Sequence, residues 1–126
     1  MSDNKIVANV LITPDGTVLQ SYHVHDYKTH IDANGKEYMI DGGLDYARYN
    51  VHKDAMPIVK TITMDDPHEL RREWFSWGSY GKKGDEPLHW IKLKDMETEH
   101  IQACLHEVKM RDYIRELMEF ELEYRK

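Results

Sequence analysis

The chain has 126 residues, 40% of them apolar and 32% charged, with a formal net charge of −6 and one cysteine. This length suits a single domain, 1–126, with one compact site rather than separate catalytic and binding lobes. The acidic balance argues against nucleic-acid binding over the whole surface, which needs a basic face to displace phosphate counterions; no apolar run approaches the roughly 18 residues of a membrane span, and a lone Cys104 can form no internal disulfide, as suits a reducing cytoplasm.

In "MSDNKIVANV" no long apolar segment follows a basic start, so the N-terminus does not read as a secretory signal. "KIVANVLI" (5–12) is rich in β-branched residues and predicts a strand, and "TPDG" (13–16) a type I turn. "TVLQSYHVHDYKTHI" (17–31) then reads as one long strand, "DANGK" (32–36) as a turn around Asn34-Gly35, and "KEYMI" (36–40) as the third strand of a meander. After "DGGLDYARYN" (41–50), where a double glycine breaks the strand and "LDYARY" suits one helical turn, "PIVKTITM" (57–64) predicts a fourth strand. "PHELRREWFSW" (67–77) suits a short helix with proline in its first turn, "GSYGKKGDEP" (78–87) a loop, and "LHWIKL" (88–93) a fifth strand.

The period then changes. Ile101, Cys104, Leu105 and Val108 fall at i, i+3, i+4 and i+7, and Met110, Tyr113, Ile114 and Leu117 repeat the spacing, which predicts two helices. Thr98 or Asp95 is placed to cap the first. The second, about 110 to 125, has a wide apolar face through Met118 and Leu122 that suits packing on the sheet and against a partner chain. Residues 1–93 are thus mainly β and 94–126 a helical hairpin. The fold class is α+β: an N-terminal antiparallel sheet of about five strands followed by two C-terminal helices.

Several stretches carry candidate chemistry. "HVHDYKTHID" packs three histidines and two aspartates into ten residues. On one continuous strand His23 and His25 share a face with Tyr27, while Asp26, His30 and Asp32 point the other way. Two histidines at i, i+2 can bind one metal, and His23, His25 and Asp26 superficially match an HxHxD pattern. Further ligands would have to come from His52, Asp41 or His89. The plainer reading is a half-exposed strand whose imidazoles hydrogen-bond their neighbours.

In "DGGLDYAR" the glycines permit positive φ or a close approach; Asp41 and Asp45 can accept turn amides, leaving Arg48 to pair with one of them. Residues 71–94 hold Arg71, Arg72, Lys82, Lys83, Lys92 and Lys94 against Glu73, Asp85 and Glu86, six cations to three carboxylates, together with Trp74, Trp77 and Trp90. The loop "WGSYGKKGDEP" is not a Walker A sequence, but its amides and lysines beside Trp77 and Tyr80 suit a phosphate with a stacked base. Arg111 and Arg115, four apart on the last helix, can hold a pyrophosphate bidentately, or pair with Glu107, Asp112, Glu116 or Glu119 on the same surface. No GxSxG, CxxC, HExxH or kinase motif is present. The chain reads as a binder rather than an enzyme, with no cofactor.

The combination of "HD…DGGLDYAR", "WGSYGKKGDEPLHWIKLKDMETEHI" and a terminal helix ending "ELEYRK", over about 23 to 126, resembles a family of small tailed-phage proteins. It is also similar to the first-described Thoeris anti-defence sponge family. That resemblance implies a five-stranded antiparallel sheet followed by two helices, and assembly as dimers building to hexamers. It further implies sequestration, without hydrolysis, of the cyclic ADP-ribose isomer made by a host TIR enzyme, with cyclic oligonucleotides as a second ligand class. The workplace would be the cytoplasm of an infected bacterial host. By position, Arg115 matches the family's helix arginine, Thr98 its polar position near the start of the first helix, where an amide is expected, and Trp90 or Leu88 its aromatic. Trp77, Arg111 and Arg48 complete the expected ligand contacts. Two other functions compete: a metal-dependent hydrolase using His23, His25 and Asp26, and a phage protein that binds a host polypeptide through the apolar edge of helix 110–125.

Overall fold

A computed structural model describes residues 5–81 and 83–126. The chain is α+β, and its contacts group into two units, one ending at Thr63 and the other beginning at Met64.

The first unit holds six strands: β1 (Ile6–Ile12), β2 (Val18–Ser21), β3 (Lys28–Ile31), β4 (Glu37–Asp41), β5 (Arg48–Tyr49) and β6 (Ile58–Thr63). They form two three-stranded antiparallel sheets, ordered β2-β1-β6 and β3-β4-β5. Leu11 lies opposite Leu19 on one side and Val59 on the other, and these side chains pack with Tyr38 and Ile40 in a buried cluster. Burying a leucine or isoleucine side chain stabilises by about 1.5–3 kcal/mol, so this cluster is the main apolar contribution in the unit. Tyr38, fully buried, donates its hydroxyl to Ala55 O at 2.9 Å.

The expected continuous strand over 17–31 is broken at 22–27, which corrects the sequence reading. Asp26 closes that break. Its carboxylate accepts the Tyr22 amide and the Lys28 ammonium, each at 2.8 Å, and its own amide donates to His23 O at 3.0 Å. Ser21 donates its hydroxyl to Asp26 O at 2.6 Å and accepts the Gly43 amide at 2.9 Å. A short polar side chain that satisfies a turn from within offers the backbone an alternative to a ladder, and here it wins. Gly43, at φ 55, lies so close to the His23 backbone that a Cβ would fall 2.2 Å from its carbonyl carbon. One fault of the sequence reading follows: the strand-alternation argument for His23, His25 and Tyr27 has no strand to act on. "LDYARY" forms a hydrogen-bonded turn, with Asp45 N donating to Gly42 O at 2.9 Å, and then enters β5 rather than a helix.

The second unit runs α1 (His68–Trp74), β7 (Ser76–Ser79), β8 (His89–Lys92), a 3-10 turn (Leu93–Asp95), α2 (Thr98–Glu107) and α3 (Asp112–Tyr124). β7 and β8 form a separate two-stranded antiparallel sheet. The single five-stranded sheet is therefore replaced by sheets of three, three and two strands, and α1 precedes the C-terminal pair of helices. Pro67 precedes α1 as expected of a residue with fixed φ and no amide. Ile114, Leu117, Met118 and Glu121 are the buried face of α3, and Ile101 and Cys104 that of α2; Phe75, Leu93 and Met96 add to the unit's buried apolar residues, and His68, Arg71 and Ser79 are buried with them. α2 begins after Glu97, with no side-chain cap, so neither Thr98 nor Asp95 caps it.

Candidate functional site

Three polar constellations stand out, and the first lies in the apolar stripe of α3. Glu121 is fully buried, one turn beyond Leu117. Its carboxylate accepts from His68 Nε2 at 2.7 Å, from Arg72 Nε at 2.9 Å and Nη2 at 2.8 Å, and from Arg125 Nε at 2.7 Å. Burial pushes its carboxyl upward, but the hydrogen bonds from Arg72, Arg125 and His68 outweigh that and hold it at about 2, against 4.5 for a free glutamate. Arg125 also donates to Thr98 Oγ1 and Leu93 O, each at 3.0 Å, so one guanidinium ties the end of α3 to the start of α2 and to the 3-10 turn. The cluster is flanked by aromatic rings: His68 lies 4.6 Å from the Phe120 ring and 5.0 Å from that of Tyr124, and Arg72 stacks on Tyr124 at 4.8 Å. Periodicity assigns position 121 to the buried face; the signal that a charge sits there was readable, but its partners come from α1, 49 and 53 residues earlier.

The second constellation is the corner where α2 gives way to α3. Arg115 donates from Nη1 to Leu105 O at 2.8 Å and from Nη2 to Val108 O at 3.4 Å, which closes the carbonyl end of α2. Arg111 immediately precedes α3, whose opening amides receive no side-chain cap, and its Nη1 lies 3.4 Å from the Tyr113 hydroxyl. A helix opening carries partial positive charge from its unpaired amides, and Arg111 adds a guanidinium immediately before it.

The remaining expected ligand residues are dispersed. Thr98 opens α2 while Leu105 and Val108 close it, and ten helical residues span about 15 Å. One protomer therefore does not place Thr98 and Arg115 on the same small ligand group. Trp77 pairs with Ile91 and Trp90 with Gly78 in adjacent register, so the two indoles project from opposite faces of the hairpin. On the Trp90 face Lys92 stacks over Trp74 at 4.9 Å, and Lys92 and Lys94 both reach Glu73, at 3.3 and 2.8 Å. That part of the basic stretch is neutralised locally. Lys82 lies outside the described residues. Leu88, the alternative aromatic-position match, is exposed.

The third constellation belongs to the first unit. Arg48 pairs with Asp41 at 3.0 Å, as one reading of the diglycine stretch expected, and Tyr46 donates to the same carboxylate oxygen at 3.3 Å. The His23, His25 and Asp26 set does not converge: Asp26 is occupied by Lys28 and the Tyr22 amide, His23 Nε2 stands 3.9 Å from it, and His25 turns to Tyr46. His52 donates from Nε2 to Glu37 O, and His89 from Nδ1 to Pro87 O. Among the described residues no group of three or more His, Cys, Asp or Glu side chains is placed to hold a metal ion. Among them, too, no helix is long and apolar enough to cross a membrane.

These features define a small α+β chain with several antiparallel sheets and a guanidinium-rich helical half. No protein-family model, curated protein or solved structure matches it.

Proposed function

We propose that the chain is a phage-encoded anti-defence binder that sequesters a cyclic nucleotide-type immune signal, of the cyclic ADP-ribose isomer class and with cyclic oligonucleotides as a second class, without hydrolysing it. The observation that carries the reading is the pair Arg111 and Arg115 beside the uncapped opening of α3. Arg115 is fixed in advance by the α2 carbonyls, so ordering it around a ligand costs little side-chain entropy, and two of its five N–H donors are engaged there. A pyrophosphate at this corner would meet the other donors, the α3 amides and Arg111.

Thr98 enters the same site only from a second copy, because one protomer holds it at the other end of α2 from Arg115, and Trp77 and Trp90, on opposite faces of their hairpin, offer one indole at a time to a base. The proposal therefore includes a homo-oligomer, a dimer or a hexamer built from dimers, with the ligand between subunits in the host cytoplasm. Arg48 belongs to the first unit, where it pairs with Asp41. Native mass spectrometry of the protein mixed with a cyclic ADP-ribose isomer tests the reading. Ligand should be retained on an oligomer and be released intact on heating. Arg111→Ala, at an exposed position, should weaken binding roughly tenfold or more, the scale of a lost charge-assisted hydrogen bond. Absence of retained ligand, or its recovery as a cleaved product, refutes the proposal.

A further inference from the structure

In the first unit, His25 and three side chains of the 41–48 stretch form a hydrogen-bonded chain. His25 has φ 64, and among the described residues it is the one non-glycine residue with positive φ. Residues with a Cβ adopt that conformation uncommonly, asparagine, aspartate and histidine more readily than the rest. Here it turns the imidazole toward Tyr46, with Nδ1 3.2 Å from the phenol oxygen and the rings edge-on, their centroids 6.4 Å apart. Tyr46 donates its hydroxyl to Asp41 Oδ2 at 3.3 Å, and Arg48 Nη2 donates to that same oxygen at 3.0 Å. Asp41 is buried, and its second oxygen, Oδ1, has no hydrogen-bond partner among the described residues.

The proton positions follow from valence. A carboxylate accepts only, so the single phenolic proton lies toward Asp41. Burial, with Asp41 adding to it, pushes the Tyr46 phenol up and keeps that proton in place. The phenol oxygen can then only accept from His25, which makes Nδ1 the protonated ring nitrogen and leaves the lone pair on Nε2. Residue 25 is exposed, so Nε2 is open to a reactant. Arg48, with 64% of its side chain exposed, is anchored at one nitrogen and presents the rest of its planar fork to solvent, the geometry that suits phosphate oxygens. His52, His30 and His68 differ, since Nε2 of His52 meets Glu37 O, that of His30 meets Asp15 and Thr17, and that of His68 meets Glu121; His23 and His89 also turn Nδ1 to a carbonyl, Val24 O at 3.0 Å and Pro87 O at 3.2 Å, but neither hydrogen bond leads on to a guanidinium as that of His25 does through Tyr46 and Asp41 to Arg48.

We propose that His25 and Arg48, positioned by Tyr46 and Asp41, form a second site that accepts the phosphoryl group of a small anionic phosphodonor of the phosphoramidate or acyl phosphate class. The Nε2 lone pair forms the new N–P bond as the P–N bond of a phosphoramidate, or the P–O bond of an acyl phosphate, breaks. The leaving group departs with the bonding pair and, for the amine, takes a proton from water. Nδ1 keeps its proton on Tyr46 throughout, and Arg48 meets the phosphoryl oxygens.

Two measurements test this on the intact protein. Nitrogen-15 NMR of the unmodified chain should show His25 in the Nδ1–H form, with Nε2 unprotonated, a form shared by His23 and His89, whose Nδ1 faces a carbonyl, and not by His106. Incubation with potassium phosphoramidate, followed by site-resolved mass spectrometry, should show His25 modified about fivefold to tenfold faster than the exposed His106, the range one orienting hydrogen bond supplies, and faster than His23 and His89, which have such a bond but no Arg48 fork on their chain. Tyr46→Phe should bring His25 down to the rate of His106 and abolish its tautomer preference; Arg48→Ala should slow it without changing the tautomer. An Nε2–H tautomer in the unmodified chain, or equal modification of all exposed histidines, overturns the proposal and requires no variant to fold.

Discussion

Replacing Glu121 by glutamine isolates the charge at the centre of the second unit, since the side chain keeps its volume and one carbonyl acceptor. The carboxyl is held at about 2 instead of 4.5, which corresponds to stabilisation on the order of 3 kcal/mol at neutral pH. Its sign is that of a depressed carboxyl: the contribution is complete above 4.5 and is lost as pH falls from there toward 2. Glutamine cannot accept from His68, Arg72 and Arg125 together, and it leaves two guanidinium groups, 24% and 19% exposed, without a counter-charge. The expected loss at pH 7 is therefore about 3 kcal/mol, in the range for breaking a buried ion pair from one side. The assay is urea unfolding followed by tryptophan emission, which reports this unit alone because Trp74, Trp77 and Trp90 all lie within it. The gap between the wild-type and variant midpoints should be wide at pH 7 and close as the pH approaches 2. Equal midpoints at pH 7, or a gap that stays constant down to pH 2, would show that the cluster is not held by ionised Glu121.

Two further outcomes follow from local geometry. Gly43→Ala should destabilise the first unit by more than the 1 kcal/mol or so of a simple left-handed penalty, since the added methyl also meets the His23 backbone; loss of circular dichroism at lower temperature would report it, and an unchanged melting temperature would contradict the close approach. Cys104 is buried, and burial, with Glu107 adding to it, pushes its thiol up; a thiol reagent at pH 8 should therefore react slowly until denaturant is added, whereas full labelling within the time taken by a free cysteine would place the thiol at the surface.

How far the sequence revealed the fold varies by element, for physical reasons. β1, β4, β6, β8, α1, α2 and α3 were legible because each is specified by its own residues: β-branched runs, apolar spacing or a helix-starting proline. The break at 22–27 was not, because the determinant is a set of polar contacts that Asp26 and Ser21 make with backbone groups, and composition around "HVHDY" still favours a strand. Nor was β7 legible: "SWGS" lacks β-branched residues and is held by register with β8. The division into three sheets depends on pairings between distant strands, such as β1 with β6, which no local pattern encodes. The candidate residues show the same divide. Arg48 on Asp41 was within reach because the two are neighbours in sequence, while the Glu121 cluster joins α3 to α1.

The fate of the arginines in the second unit decides where an anion can bind. Arg71 donates to Met64 O and to His68, and Arg72 and Arg125 converge on Glu121, so three of the five guanidiniums are committed to holding α1 and α3 together. Moving Arg72 or Arg125 to a ligand would take a counter-charge from a fully buried carboxylate, and moving Arg71 would release His68, which donates to that carboxylate, at a cost that a single ligand contact does not offset. Arg115 is engaged differently: it closes two neutral carbonyls at a helix end, which water can satisfy in its place. Arg111 precedes the helix rather than bracing it. The corner of α2 and α3 is thus where positive charge can be offered to a phosphate without dismantling the core. Since Thr98 stands at the far end of α2, beside Arg125, a ligand that touches both ends must draw them from different copies. It follows that a strictly monomeric variant should retain the weak anion affinity of the Arg111 and Arg115 corner and lose the dependence on Thr98 and Trp90. Titration of pyrophosphate against monomer and oligomer separates the two, and equal sensitivity of both to Thr98→Ala would refute the two-copy site.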